Sequence, residues 1–258
     1  ENTNEVSKIL SYCNEHRIKV VPRGAGTGLS GGALPLADSI LLCLGKFNKI
    51  AKLAKKHDLF IVVDEVYREF IYTNLKHFSI LEDERFYDHA ILIDSISKRY
   101  SLCGARIGFI VSKNSEFIET CLKFALTRLS PPTLALIAAN EALNSDKNYI
   151  KNVITEYSNR RKVLITELSK LQDIKYSDPM GAFYSIIKLP VKDSEEFAKF
   201  LLTDFSVNNE SVMVSPASGF YSSEDNGHDE IRIAFVLNSD KLKRAINIIN
   251  LGLKEFTS

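Results

Sequence analysis

Long apolar runs are missing from this 258-residue chain. None approaches the roughly 18–20 residues that span a bilayer, so the sequence predicts no membrane helix. A charge excess is missing as well. Lysine and arginine number 33 against 32 acids, a net charge of +1. Such a surface gives no electrostatic case for nucleic acid or an anionic membrane. Cysteine is sparse: Cys13, Cys43, Cys103 and Cys121 stand far apart with no CxxC spacing. That pattern predicts buried thiols in a reducing cytosol, not a disulfide frame or a metal site. The five histidines are scattered, which also argues against a metal. The opening residues Glu1 to Glu5 lack the basic start and apolar stretch of a secretory signal, and none is expected. What is present, 45% apolar and 25% charged, is a globular mix with material for one large domain or two modest ones.

Apolar periodicity orders the chain. Val6, Ile9, Leu10 and Cys13 recur at helical spacing, and Ile18–Val21 reads as a short strand. A glycine-rich loop follows, then a strand at Ser39–Leu44 and a helix from Asn48 to His57. Leu59–Val63, Ala90–Ile93 and Ile107–Val111 are continuous apolar runs, the pattern of strands covered on both faces. Helices are expected over Ser115–Leu126, Pro132–Leu143 and Asn148–Leu171. Beyond them come a strand at Gly181–Leu189, a helix at Ser194–Leu202, strands near Val212 and at Ile231–Val236, and a last helix, Asp240–Phe256. The pattern is α/β with an α+β tail.

Five of the twelve glycines fall between Gly24 and Gly32. Gly26, Gly28 and Gly31 form a GxGxxG match, but Gly32 and Pro35 block the helix that a Rossmann fingerprint must open. Glycines still let backbone N–H groups close on an anion. Thr27 and Ser30 add hydroxyls and Arg23 adds charge, so a pyrophosphate suits the loop better than a plain turn does. The run Val21-Pro-Arg-Gly-Ala-Gly-Thr-Gly-Leu-Ser-Gly-Gly-Ala-Leu-Pro35 closely resembles the pyrophosphate loop of FAD-linked oxidases of the glycolate oxidase and D-lactate dehydrogenase kind. The resemblance covers residues 3 to 50. It implies that Arg23, Gly24, Gly26, Thr27, Gly28, Ser30, Gly31 and Gly32 form a flavin pyrophosphate loop, with FAD as a second cofactor.

A different chemistry follows. Asp64 ends the strand Leu59–Val63, where open α/β sheets bind ligands, and Tyr67 lies three residues on. Asp64 could equally cap the next segment. Lys98 follows a second strand, with Ser95 and Ser97 before it and Arg106 in a Gly-x-Arg-x-Gly run after it. A lone lysine there is usually a solvated loop residue; this spacing is more specific. Pyridoxal phosphate (PLP) chemistry needs such a set: a lysine amine to join the aldehyde, a carboxylate to keep the pyridine nitrogen protonated, hydroxyls and an arginine for the phosphate, and a phenol near the ring oxygen.

From about Ile50 to the end, the chain resembles class I aminotransferases, the aspartate aminotransferase-like enzymes of fold type I. The likeness includes Pro179–Tyr184, Met213–Tyr221 and Glu230–Asn238. It implies Lys98 as the Schiff-base lysine, Asp64 on the pyridine nitrogen and Tyr67 on the ring oxygen. It also implies Ser95, Ser97 and Arg106 on the phosphate and Arg232 as a bidentate clamp on the substrate carboxylate. The implied fold is a partial PLP-transferase-like large domain, residues 50–147, and a smaller α+β C-terminal domain with its linking helix, 148–258, preceded by the FAD-oxidase-like segment, 1–49. An amino acid and a 2-oxo acid are the implied substrates, and a homodimer or larger self-association the implied assembly.

The chain has no Asn-Pro-x-Gly motif, which that family carries ahead of Asp-Glu-Val-Tyr. The oxidase-like segment stands where that part of the large domain belongs, with the join near Lys49-Ile50-Ala51. The sequence therefore reads as a chimera of two partial cofactor domains. Strands lacking their usual neighbours would expose apolar edges and faces. Three readings remain: a PLP-dependent aminotransferase, a flavin-binding redox fragment and a structural chimera without turnover.

Overall fold

The computed structural model of the chain describes residues 12, 15, 19–23, 39–43, 47–221 and 225–258. The helix expected over Val6–Cys13 lies outside them apart from Tyr12, and so does the Gly24–Gly32 loop with Thr27 and Ser30. The chain divides into two compact units, Lys46–Ile154 and Thr155–Ser258, the latter grouped with Glu1–Gly45.

In the first of these units, α1 (Phe47–His57) leads into β3 (Ile61–Asp64). Two short 3-10 turns precede β4 (Ala90–Ser95), which runs directly into a single helical turn, α2 (Ile96–Arg99). Then come β5 (Gly108–Val111), α3 (Ser115–Arg128) and α4 (Thr133–Leu143). The strands form one three-stranded sheet in the order β3-β4-β5. β3 and β4 are parallel, with Asp64 opposite Ile93, and β5 is antiparallel to β4, with Gly108 opposite Ser95. The end of β3, the end of β4 and the start of β5 therefore share one end of the sheet.

Two small cores support this layer. Ala51, Ile80, Phe86, Ala90 and Leu92 form one, with Ile61, Val63 and Leu81 against it. Ile96, Ile107 and Ala139 form the other, beneath α2. Only Ala90–Ile93 behaves as a strand with both faces covered. β3 alternates, with Val62 64% exposed, and all four residues of β5 are exposed, Ile110 at 50%. The apolar composition of these strands is that of a buried sheet, but no described layer covers their second face. α3 contributes no buried residue and α4 only Ala139. Cys103 is exposed, contrary to the expectation of buried thiols, because it lies in a one-turn 3-10 segment at the surface.

The second unit contains β1 (Lys19–Arg23) and β2 (Ser39–Cys43), a parallel pair. α5 (Lys147–Leu168) crosses the boundary between the units. β6 (Lys175–Tyr176), β7 (Tyr184–Lys188), β8 (Ser215–Pro216) and β9 (Glu230–Ala234) form an antiparallel sheet in the order β6-β7-β9-β8. The strand expected near Val212 begins at Ser215. α6 (Ser194–Thr203) and α7 (Ser239–Phe256) complete the unit. Leu242, Ile246, Ile249 and Leu253 repeat on one face of α7 and are buried, the spacing of an amphipathic helix. Gly252 lets the helices come close: a Cβ there would meet Leu201 Cδ2 at 2.7 Å. Among the described residues, no helix is long and apolar enough to cross a membrane, and no group of side chains could hold a metal ion.

Candidate active site

Asp64 is exposed at the end of β3, and its Oδ1 accepts a hydrogen bond from Val66 N at 3.0 Å. The carboxylate thus caps the turn that follows and still faces solvent at the strand end. That turn carries Tyr67, 5% exposed, whose ring packs edge-on to Phe70. Between them Glu65 is buried. Its Oε1 accepts from Ser79 Oγ and Ile80 N, and its Oε2 lies 2.9 Å from His77 Nε2. These bonds fasten the loop after the turn to the strand end.

On β4, Ser95 is the N-cap of α2 and accepts from Ser97 N at 3.0 Å. Ser95 Oγ lies 2.9 Å from the Ile107 carbonyl and 2.8 Å from Ser97 Oγ. A hydroxyl has one proton. The Ile107 oxygen can only accept, so it takes the Ser95 proton, and Ser95 is committed to the fold. Ser97 keeps its proton for Ser95 or for an incoming anion. Lys98 is half-buried, with Nζ 5.9 Å from the centre of the Tyr67 ring. Arg106 is exposed and left-handed, φ 57°, and its Nη1 donates to Cys103 O at 3.1 Å.

Asp64, Tyr67, Ser95, Ser97, Lys98 and Arg106 all belong to Lys46–Ile154 and cluster about one end of its sheet. Arg232 belongs to the other unit. On β9, its guanidinium sits 4.8 Å from the Tyr184 ring and 4.4 Å from the Phe220 ring, so two aromatic faces hold its plane. It lines an apolar groove of about 690 Å³ with Val212, Met213, Ile233, Val236 and Leu237. Arg23 ends β1; the rest of the glycine loop lies outside the described residues.

The motif reading missed the ion pairs beside Lys98. Arg99 is 9% exposed and pairs with Glu69 and Asp94. Burial pulls its guanidinium down, but the two carboxylates outweigh burial and hold it above its ordinary value. An acid just before Ser95 and a base just after Lys98 were the available signal; Glu69 comes from the other strand's turn and gave none.

A two-layer α/β unit with a lysine at its strand ends is the frame of a PLP transferase of fold type I. The family model for aminotransferase class I and II matches residues 40–249, and the chain belongs to that family. An FAD binding domain model matches residues 1–64, overlapping the first match over 40–64. The aspartate aminotransferase of Pyrococcus abyssi is 30% identical over 215 residues, 81% of this chain and 52% of that protein. Among solved structures, the aromatic aminotransferase of Pyrococcus horikoshii superposes with a TM-score of 0.69 at 25% identity, covering 92% of this chain and 60% of that one. The α-aminoadipate aminotransferase LysN of Thermus thermophilus, solved with N-(5'-phosphopyridoxyl)-L-leucine, superposes at 0.72 with 20% identity, covering 85% and 56%. The chain thus spans about half the length of the curated relatives it matches.

Proposed function

We propose that the chain is the lysine-bearing part of a PLP-dependent aminotransferase that moves an amino group between an amino acid and a 2-oxo acid. The observation that carries this reading is Lys98 Nζ poised over Tyr67 at the same sheet end as Asp64. The donor set fits the cofactor: an amine for its aldehyde, a solvent-facing carboxylate for its ring nitrogen and a hydroxyl, Ser97, with a proton to give its phosphate. Ser95 fits less well, since its proton goes to Ile107 O. Arg106 gives one of its five N–H donors to Cys103 O and keeps the others for a phosphate.

Bound PLP would supply an electron sink that loosens the bonds at a substrate's α-carbon. The chain's own residues would do the rest. Asp64 would hold a proton on the ring nitrogen, Lys98 Nζ would take the α-proton and return it, and the Tyr67 hydroxyl would bond the ring oxygen. Within the other unit, Tyr184 and Phe220 set the guanidinium plane of Arg232, as a bidentate clamp for a carboxylate requires. A reducing, cytoplasmic setting suits the free Cys103 and Cys121. The test is spectroscopic: PLP added to the purified chain should give a violet-edge absorbance band that borohydride bleaches, and Lys98→Ala should not give it.

Self-association belongs to the same reading. Val62, Phe109, Ile110 and Val111 are exposed on the two outer strands of the β3-β4-β5 sheet, and a second copy would cover them. A flavin reading rests on the match of residues 1–64; a two-band yellow spectrum on adding FAD would support it.

A further inference from the structure

The charges around Lys98 form a closed quartet. Asp94, the residue before Ser95, is 6% exposed, and Arg99, the residue after Lys98, is 9% exposed. Arg99 Nη2 donates to Asp94 Oδ2 at 2.7 Å, and its Nε lies 2.6 Å from Glu69 Oε1. Arg68 spans the same two acids, with Nε donating to Glu69 Oε1 at 3.1 Å and Nη2 lying 3.6 Å from Asp94 Oδ2. Two cations balance two anions. The remaining Glu69 oxygen, Oε2, is buried with no hydrogen-bond partner among the described residues. Glu69 is half-buried, and its described side-chain partners are the two arginines.

The placement of the four residues matters more than their sum. Arg68 and Glu69 directly follow Tyr67. Asp94 and Arg99 bracket the segment Ser95–Lys98. The quartet thus ties the turn that carries Tyr67 to the helix that carries Lys98. α2 is one turn long, too short to keep its shape unaided, since a first helical turn fixes several residues for one hydrogen bond. Ser95 pins its start through Ser97 N and Ile107 O. Arg99 pins its end.

We infer that Arg99, gripped by Glu69 and Asp94, is a positioning residue that sets Lys98 Nζ over the Tyr67 ring. The inference rests on the proposed role of Lys98. With Arg99 hydrogen-bonded to Asp94 and in ion-pair contact with Glu69, the end of the one-turn helix is tied down, and with it the point from which the Lys98 side chain leaves.

The experiment reads Lys98 in the chain without cofactor. Trace acetic anhydride is applied across a pH series, and acetylation of Lys98 is measured by peptide mass analysis relative to exposed Lys123. Arg99→Met should change the relative reactivity of Lys98 by about fivefold or more, while Arg99→Lys returns it to within about twofold of the unsubstituted chain. Glu69→Gln, which keeps the side-chain shape, should shift Lys98 in the same direction and stands in if Arg99→Met does not fold. Arg85→Met, in the turn before β4, should leave Lys98 unchanged. Folded Arg99→Met or Glu69→Gln chains in which Lys98 reacts within about twofold of the unsubstituted protein would overturn the inference. Because no cofactor is present, failure of PLP to attach to Lys98 would sink the proposed function without altering this readout.

Discussion

The Tyr221 hydroxyl donates to Glu230 Oε2, and Glu230 is buried at the head of β9. Burial first, then the bond to Glu230 and its charge, push the phenol above its ordinary 10.0. A group whose pKa is raised by folding keeps its proton after the unfolded chain has lost it. The stability it contributes is therefore complete below pH 10.0 and lost as pH rises further. The urea midpoint of the unit should fall above that pH, and Tyr221→Phe should flatten the fall. The same substitution should cost about 1–3 kcal/mol at neutral pH, because it leaves a buried carboxylate without its donor. Gly227 supports the contact. Its φ is +79°, and a Cβ would lie 2.6 Å from the Tyr221 ring. Gly227→Ala should lose about 1–3 kcal/mol by urea denaturation. At this scale the meeting of Asp64, Tyr67 and Lys98 at one sheet end is legible in the sequence, because each ends or follows an apolar strand. The Glu69–Arg99 pair is not, because its partners meet only once β3 and β4 lie side by side.

Elements show where local pattern stops being informative. α7 was read almost to the residue, since a buried face repeats over five turns. α2 gave no such signal; four residues carry no period, and the helix exists because Ser95 caps it and Arg99 is gripped beyond it. The two serines should therefore separate. Ser95→Ala removes a cap and the anchor to Ile107 O and should cost about 1 kcal/mol or more in urea denaturation. Ser97→Ala should leave stability nearly unchanged and weaken PLP binding in a titration followed by absorbance. β3 and β5 were read correctly as strands and incorrectly as covered on both faces. Their apolar runs match a sheet with a layer on each side, but among the described residues β3 is covered on one face and β5 on neither. Val62 and Ile110 are left outside.

For the whole molecule, exposed apolar strands stand beside a match that spans about half the length of the curated relatives. The aminotransferase match begins at residue 40, and an FAD binding domain match occupies the chain before it. Both resemblances are visible in the sequence because each segment keeps its own motif. Uncovered apolar strands should drive association, so sedimentation velocity at micromolar concentration should show a dimer or larger species. Replacing Val62 and Ile110 together by lysine should shift it toward monomer; a stable monomer before substitution would contradict the self-association reading. The account's central claim is that Lys98 stands in a working cofactor site. Borohydride reduction of the PLP-treated chain, followed by peptide mass analysis, tests it most directly. The account predicts a phosphopyridoxyl adduct concentrated on Lys98 and absent from Lys98→Ala. An adduct spread over several surface lysines, with no preference for Lys98, would contradict it.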